Sequence, residues 1–259
     1  MPYIYPHPRP ALTADAVVFS ILQDQLQLLL IRRGSAPFAG RWALPGGFCQ
    51  EEERADQCAL RELCEETGVN DIWMEQLKTF DTPGRDPRGW IVSVAYFALI
   101  DGTQVRLEGA SDARDARWWP VKELPPLAFD HDEIVCYALQ RLRNKLRWSN
   151  IGSQLLPPRF TMAALQHVHE AVLDDTLEKP LDKRNFHKRM LESGTIRDTG
   201  LTLRNGKRGP QPRLYEFVPQ ADDDCTRTAA QRAGALNVAL AARGNGNHAA
   251  AASGAGAPA

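Results

Sequence analysis

Glu62, Glu65 and Glu66 stand at i, i+3 and i+4 directly behind Arg61. On a helix this spacing crowds three carboxylates onto one face, where like charges destabilise by about 0.2–0.5 kcal/mol per pair. Two arrangements accommodate that cost. One is an acidic face left in water; the other is a hard divalent cation bound through oxygen. Mg²⁺ (or Mn²⁺) is typical of the second where substrates carry phosphate. The run Leu44-Pro45-Gly46-Gly47 just before these acids, and the interposed Arg61, favour the cation site.

Several elements must position these residues. Ala14 to Ile21 and Leu26 to Arg32 read as strands joined by a polar turn at residues 23–25, followed by a Gly/Pro-rich stretch from Gly34 to Gly47. Glu53 to Thr67 has helical periodicity, with Ala55, Cys58, Ala59 and Leu63 on one stripe and Gly68 as its stop. Trp90 to Ile100 reads as a further strand. Asp132 to Arg147 reads as an amphipathic helix with Ile134, Val135, Ala138, Leu139 and Leu142 inward. Strands interleaved with helices make residues 1–150 an α/β domain. A boundary is expected near Trp148 to Ser153. Beyond it, Thr161 caps a helix to about Leu173, and Asp182 caps another to about Ser193, stopped by Gly194. Two strands, Thr199 to Leu203 and Arg213 to Val218, complete a second domain at 151–220. Residues 221–259, in which 20 of 39 are Ala or Gly, are expected to be a disordered tail.

The 259 residues carry 43% hydrophobic and 24% charged side chains, an ordinary soluble composition. A net charge of −1 excludes a polyanion or polycation binder as a whole. Residues 1–150 carry 17 Lys+Arg against 21 Asp+Glu, whereas residues 151–220 carry 11 against 8. The two parts are therefore expected to have different partners. The apolar run ending at Ile100 is too short to span a bilayer, and the first ten residues lack the apolar core of a secretory signal. Five cysteines (Cys49, Cys58, Cys64, Cys136, Cys225) without a C-x-x-C pair indicate neither a disulfide framework nor a zinc site. A cytoplasmic protein with reduced thiols is expected.

Between Lys183 and Arg213 nine Lys/Arg face two acids, Glu192 and Asp198. On the helix there, Phe186, Met190 and Leu191 can face a core, leaving Lys183, Arg184, Asn185, His187 and Lys188 on the surface. Such a helix suits the major groove of double-stranded DNA, and Lys207 and Arg208 in the following loop can lie along the phosphate backbone. A basic accessory domain used for dimerisation is the alternative.

The segment from Gly47 to Val69 resembles the Nudix box, G-x5-E-x7-R-E-U-x-E-E-x-G-U with U aliphatic. Gly47, Glu53, Arg61, Glu62, Leu63, Glu65, Glu66, Gly68 and Val69 all match it. The resemblance implies a mixed sheet between helices, acting on a nucleoside diphosphate linked to another group. It implies Glu62 and Glu66 as main metal ligands, joined by Glu65 and the Gly46 carbonyl, and a Glu53–Arg61 salt bridge that holds loop to helix. A bound Mg²⁺ neutralises diphosphate oxygens, positions a water for in-line attack and lowers its pKa. A further carboxylate can act as general base. Asp115 lies where many Nudix proteins place an acid before a tryptophan, Asp112 is nearly as well placed, and either can equally be an ordinary loop aspartate.

Arg41 to Phe48, Arg85 to Gly89 and Leu127 to His131 are similar to the ADP-ribose-handling branch of that family. Arg85 and Arg88 flank a turn and can clamp a phosphate or carboxylate, or simply stabilise the turn with Asp86. Phe129 can stack on adenine or sit in a core, and His131 reads as a helix-start or packing residue. Residues 155–219 resemble the winged helix-turn-helix of Nudix-related transcriptional regulators of NAD metabolism. Two functions stay open. One is a homodimeric regulator that senses ADP-ribose or a related nucleotide and binds an operator. The other is an ADP-ribose-type pyrophosphatase, yielding AMP and ribose 5-phosphate, with an accessory C-terminal domain.

Overall fold

The computed structural model describes residues 6–105, 107, 113–148, 155–174, 177, 179–203 and 211–218. The expected boundary at 148–153, apart from Trp148, and the expected disordered tail at 221–259 lie outside these residues, as do Asp112, Lys207 and Arg208.

Strand β1 (Ala11–Leu22) is the spine of the larger sheet, and Ala14 to Phe19 are all buried. Successive strand residues point to opposite faces, so a continuous apolar run needs a cover on both. Val17 and Phe19 pack with Ile134 and Leu142 of helix α2 (His131–Trp148) on one face. Ala16 and Val18 pack with Leu63 of helix α1 (Ala55–Thr67) on the other. This is the two-layer cover that the Nudix resemblance implied.

β1 runs parallel to β6 (Ile91–Leu99), which pairs antiparallel with β5 (Glu75–Phe80). The other edge of β1 divides. Phe19 to Leu22 pair with β2 (Gln25–Arg33), whereas Thr13 to Asp15 pair with β4 (Gly46–Phe48). Strand β3 (Trp42–Ala43) and strand β7 (Ala113–Pro120) join β2. The division inserts the Gly-rich loop into the sheet beneath α1, and the Ala16 N–H donates to the Pro45 carbonyl at 2.8 Å to close the gap.

The C-terminal part begins with β8 (Phe160–Thr161) and α3 (Met162–Leu173), whose cap is Thr161, its side chain accepting from the Ala164 N–H. Helix α4 (Lys183–Glu192) is capped by Asp182, which accepts from the Asn185 N–H, and Gly194 at φ 69° follows its end. Strands β9 (Ile196–Thr202) and β10 (Arg213–Phe217) form an antiparallel sheet of order β8-β10-β9. Phe160, Leu165, Phe186, Met190, Ile196 and Tyr215 make its core. Leu191, expected inward, is 45% exposed, because Phe186 and Met190 at i and i+4 already fill the inward stripe of so short a helix. Val168, Val172 and Leu173 of α3 belong instead to the cluster formed by α2 and the large sheet. The two parts therefore share apolar packing. No helix among the described residues is long and apolar enough to cross a membrane.

Candidate functional site

Gly46 and Gly47 are the floor of the carboxylate site. Gly46 has φ 157°, and a Cβ there would stand 2.4 Å from the Ala14 carbonyl oxygen, so only glycine fits between β1 and α1. A Cβ on Gly47 would meet the Glu62 carboxylate at 2.4 Å. The backbone thus approaches the acidic face of α1 as closely as it can. Glu66, 6% exposed, accepts the Gly46 N–H at 2.9 Å. Burial pushes its carboxyl up to about 8 against the pull of that N–H, and the charges of Glu62 and Asp15 push the same way. Burial likewise raises Glu62.

Arg61 organises the other acids. Its Nε and Nη2 bond the two oxygens of Glu53 at 2.7 and 2.9 Å, and its Nη1 reaches Glu62 at 2.7 Å and Glu65 at 3.1 Å. Its Nη2 also donates to the Phe48 carbonyl at 3.2 Å, which fastens the loop to the helix. These bonds hold the Glu53 carboxyl below its usual range. Among the described residues no three His, Cys, Asp or Glu side chains stand as a ready ligand group. Glu62 and Glu65 are turned to Arg61, and Glu66 to Gly46. The donor set is nevertheless all hard oxygen, crowded and partly buried, with the Gly47 hollow filled by the Glu62 carboxylate. That chemistry fits an oxygen-seeking divalent cation once the side chains turn.

Around this floor lie the loops that resemble the ADP-ribose branch. Arg88 bonds Asp86 at 2.6 Å, and its guanidinium lies 4.8 Å from the Phe48 ring centre and 5.3 Å from that of Phe129. Arg33 lies 4.8 Å from the Phe129 ring on β2's side, and Phe38 meets Phe129 edge-on at 4.9 Å. Guanidinium groups over aromatic rings combine a flat stacking surface with positive charge, suited to a base and a diphosphate. Arg85 is placed differently. Its side chain is 4% exposed and forms a forked pair with Asp130 at 2.8 and 2.7 Å, which ties its loop to the head of α2. Asp115 lies on β7 opposite Arg32 and pairs with Arg117 at 2.7 Å, in a strand rather than the expected loop.

In the C-terminal part, Lys183, Arg184, Asn185 and Lys188 of α4 are exposed, and Lys188 lies 3.8 Å from Glu192. His187 is half-buried, its Nε2 bonded to the Tyr215 hydroxyl at 3.0 Å, so it braces α4 on β10. Arg189, exposed on the same helix, was missed by sequence reasoning; its position beside the basic run was the available signal.

Fold and site together define a Nudix-domain protein that carries a winged helix. Residues 11–138 match the NUDIX domain, and residues 152–217 match the NrtR DNA-binding winged helix domain. The chain is 38% identical over 221 residues to the ADPR responsive transcriptional repressor NtrR of Acinetobacter baylyi, covering 84% of this chain and 86% of that one. It belongs to the NrtR family of Nudix-related regulators. Shewanella oneidensis NrtR complexed with a 27mer DNA superposes with a TM-score of 0.67 at 38% identity, over 80% of this chain and 94% of that one. The NUDIX domain of the same protein complexed with ADP ribose gives 0.50 at 40% identity, over 52% and 90%.

Proposed function

We propose that this chain is an ADP-ribose-responsive transcriptional repressor, with a nucleotide-sensing Nudix domain at 1–150 and a DNA-binding winged helix at 151–220. The observation that carries this reading is the match to a repressor across both parts at once, rather than to the α/β part alone. ADP-ribose is read by the Nudix part: Arg88 and Phe129 supply charge and a stacking face, while Arg85 holds the loop that presents Arg88. The operator is read by Lys183, Arg184, Asn185 and Lys188 of α4, with Lys207 and Arg208 as further phosphate contacts and His187 bracing the helix. Because one short helix makes few base contacts, a homodimer reading two half-sites is expected.

Glu62, Glu65, Glu66 and the Gly46 carbonyl are the groups that would hold Mg²⁺ (or Mn²⁺). Such a cation neutralises diphosphate oxygens and lowers the pKa of a bound water. Arg61 bonds Glu62 and Glu65 and holds them in place, and Gly46 and Gly47 allow the diphosphate to approach the helix. The complete carboxylate set favours a second reading as well, in which the Nudix domain still hydrolyses its ligand, with Asp115 the candidate base. The test is ADP-ribose turnover with Mg²⁺, run beside binding of the full chain to DNA from its own upstream region. Sequence-specific DNA binding supports the repressor; turnover without any DNA binding at low salt leaves a pyrophosphatase with an accessory domain.

A further inference from the structure

The loops around the nucleotide site are fastened to the head of α2. Leu127 bridges Trp42, and the Ala128 N–H donates to the Trp42 carbonyl at 2.8 Å. Asp130 takes the forked bond from Arg85. His131, the first residue of α2 and 4% exposed, accepts the Leu44 N–H on Nδ1 at 2.9 Å. With Nδ1 accepting, the neutral ring carries its proton on Nε2, which faces Asp15 Oδ1 at 3.8 Å. Asp15 in turn accepts the Ser93 hydroxyl and lies opposite Gly46 in the sheet. The loop that leads to Gly46 and Gly47 is therefore bonded at its Leu44 end to α2.

From Val135 onward, α2 lies against α3 of the winged helix. Val135, Ala138, Leu142 and Leu146 share one apolar cluster with Val168, Val172 and Leu173 of α3, and Arg143 Nε donates to the Val172 carbonyl at 3.5 Å. Eighteen residues of helix span about 27 Å, and the backbone bonds are closed within the helix, so it moves as a rod. Its first turn holds the loops of the nucleotide site, and the turns from Val135 onward pack against α3.

We infer that α2 couples the nucleotide site to the winged helix, and that His131 is the positioning residue that passes movement of the Leu44-Pro45-Gly46 loop to it. This rests on the repressor reading above. A nucleotide shifts DNA affinity only if it binds two arrangements of this loop unequally. A bond buried between loop and helix makes the helix follow the loop. His131→Phe keeps the ring but removes the acceptor, leaving the Leu44 N–H buried without it. His131→Asn keeps an oxygen acceptor near the position of Nδ1.

The experiment measures, on the full chain, ADP-ribose affinity by calorimetry and DNA affinity with and without saturating ADP-ribose. Wild type is expected to change its DNA affinity by about 5–150-fold on saturation. His131→Phe is expected to bind DNA as wild type does without nucleotide, yet to change by less than about twofold when saturated. His131→Asn is expected to recover most of the wild-type ratio. A wild-type ratio in saturated His131→Phe overturns the inference and leaves the repressor reading standing. No change in saturated wild type overturns both. Hydrogen exchange of the wild type needs no variant: saturating ADP-ribose should alter protection in residues 131–148 and 162–173 as well as the 41–49 loop. A change confined to that loop overturns the coupling.

Discussion

Arg85→Met separates a structural arginine from a ligand-binding one. Arg85 and Asp130 are 4% and 12% exposed at the side chain, so their forked pair is close to fully desolvated. Removing one partner from such a pair leaves an uncompensated charge at a cost of about 3–5 kcal/mol, whereas replacing both with apolar groups of similar volume is close to neutral. For a chain of this size each kcal/mol moves Tm by about 2–4 °C. Arg85→Met should therefore lower Tm by about 6–20 °C, and Arg85→Met/Asp130→Leu should restore most of it. Calorimetric unfolding of wild type, both single variants and the double gives the cycle, and ADP-ribose titration well below each Tm gives the ligand arm. The double variant should recover nucleotide affinity along with stability. An unchanged Tm in Arg85→Met, with nucleotide affinity lost and not recovered in the double variant, would show that Arg85 clamps the ligand itself.

Glu66→Gln keeps shape but removes the carboxyl that can ionise towards a cation, so any hydrolysis should fall at least about a hundredfold, with Mg²⁺ affinity falling too; unchanged turnover in a steady-state assay would discard the ligand assignment. His169 is buried against Phe186, and burial holds it down to about 4. Its unfolded value is about 6.5, so its contribution is fully present above pH 6.5 and is lost as pH falls towards 4, about 3 kcal/mol in all. Guanidinium unfolding monitored in the winged helix should show that loss, and His169→Gln should flatten it. Replacing Arg184 and Lys188 with alanine should weaken DNA binding and lower the log–log salt slope by about one unit per cation. ADP-ribose affinity in that variant should be unchanged by calorimetry.

The carboxylate helix was legible to within two residues because its signals are local: a buried stripe at Cys58, Ala59 and Leu63, and Gly68 in the left-handed region to end it. The caps Thr161 and Asp182 marked α3 and α4 for the same reason. The Glu53–Arg61 pair was implied by the resemblance to the Nudix box and is present. What escaped depends on tertiary partners. β7 reads as a charged loop, Ala-Arg-Asp-Ala-Arg, and becomes a strand because β2 offers it an open edge. β5 escaped because only Leu77 and Phe80 of its six residues are buried, too few to show alternation. Arg85 finds its acid 45 residues away rather than in its own turn, which local spacing cannot reveal. His131 looked like a packing residue, and only the fold brings Leu44 to its ring. Asp198 and Arg197 hid the start of β9, since exposed charges there pair across to Arg213 and Glu216.

A chain that joins nucleotide sensing to DNA binding must show both on the same molecule. Fluorescence anisotropy of labelled upstream DNA with the full chain, titrated with ADP-ribose to a concentration that calorimetry shows to be saturating, tests it most directly. DNA binding at low salt is expected, with a change in DNA affinity of at least about fivefold on saturation. Saturation with no change in DNA affinity, or no DNA binding at low salt by a chain that binds ADP-ribose, would contradict it.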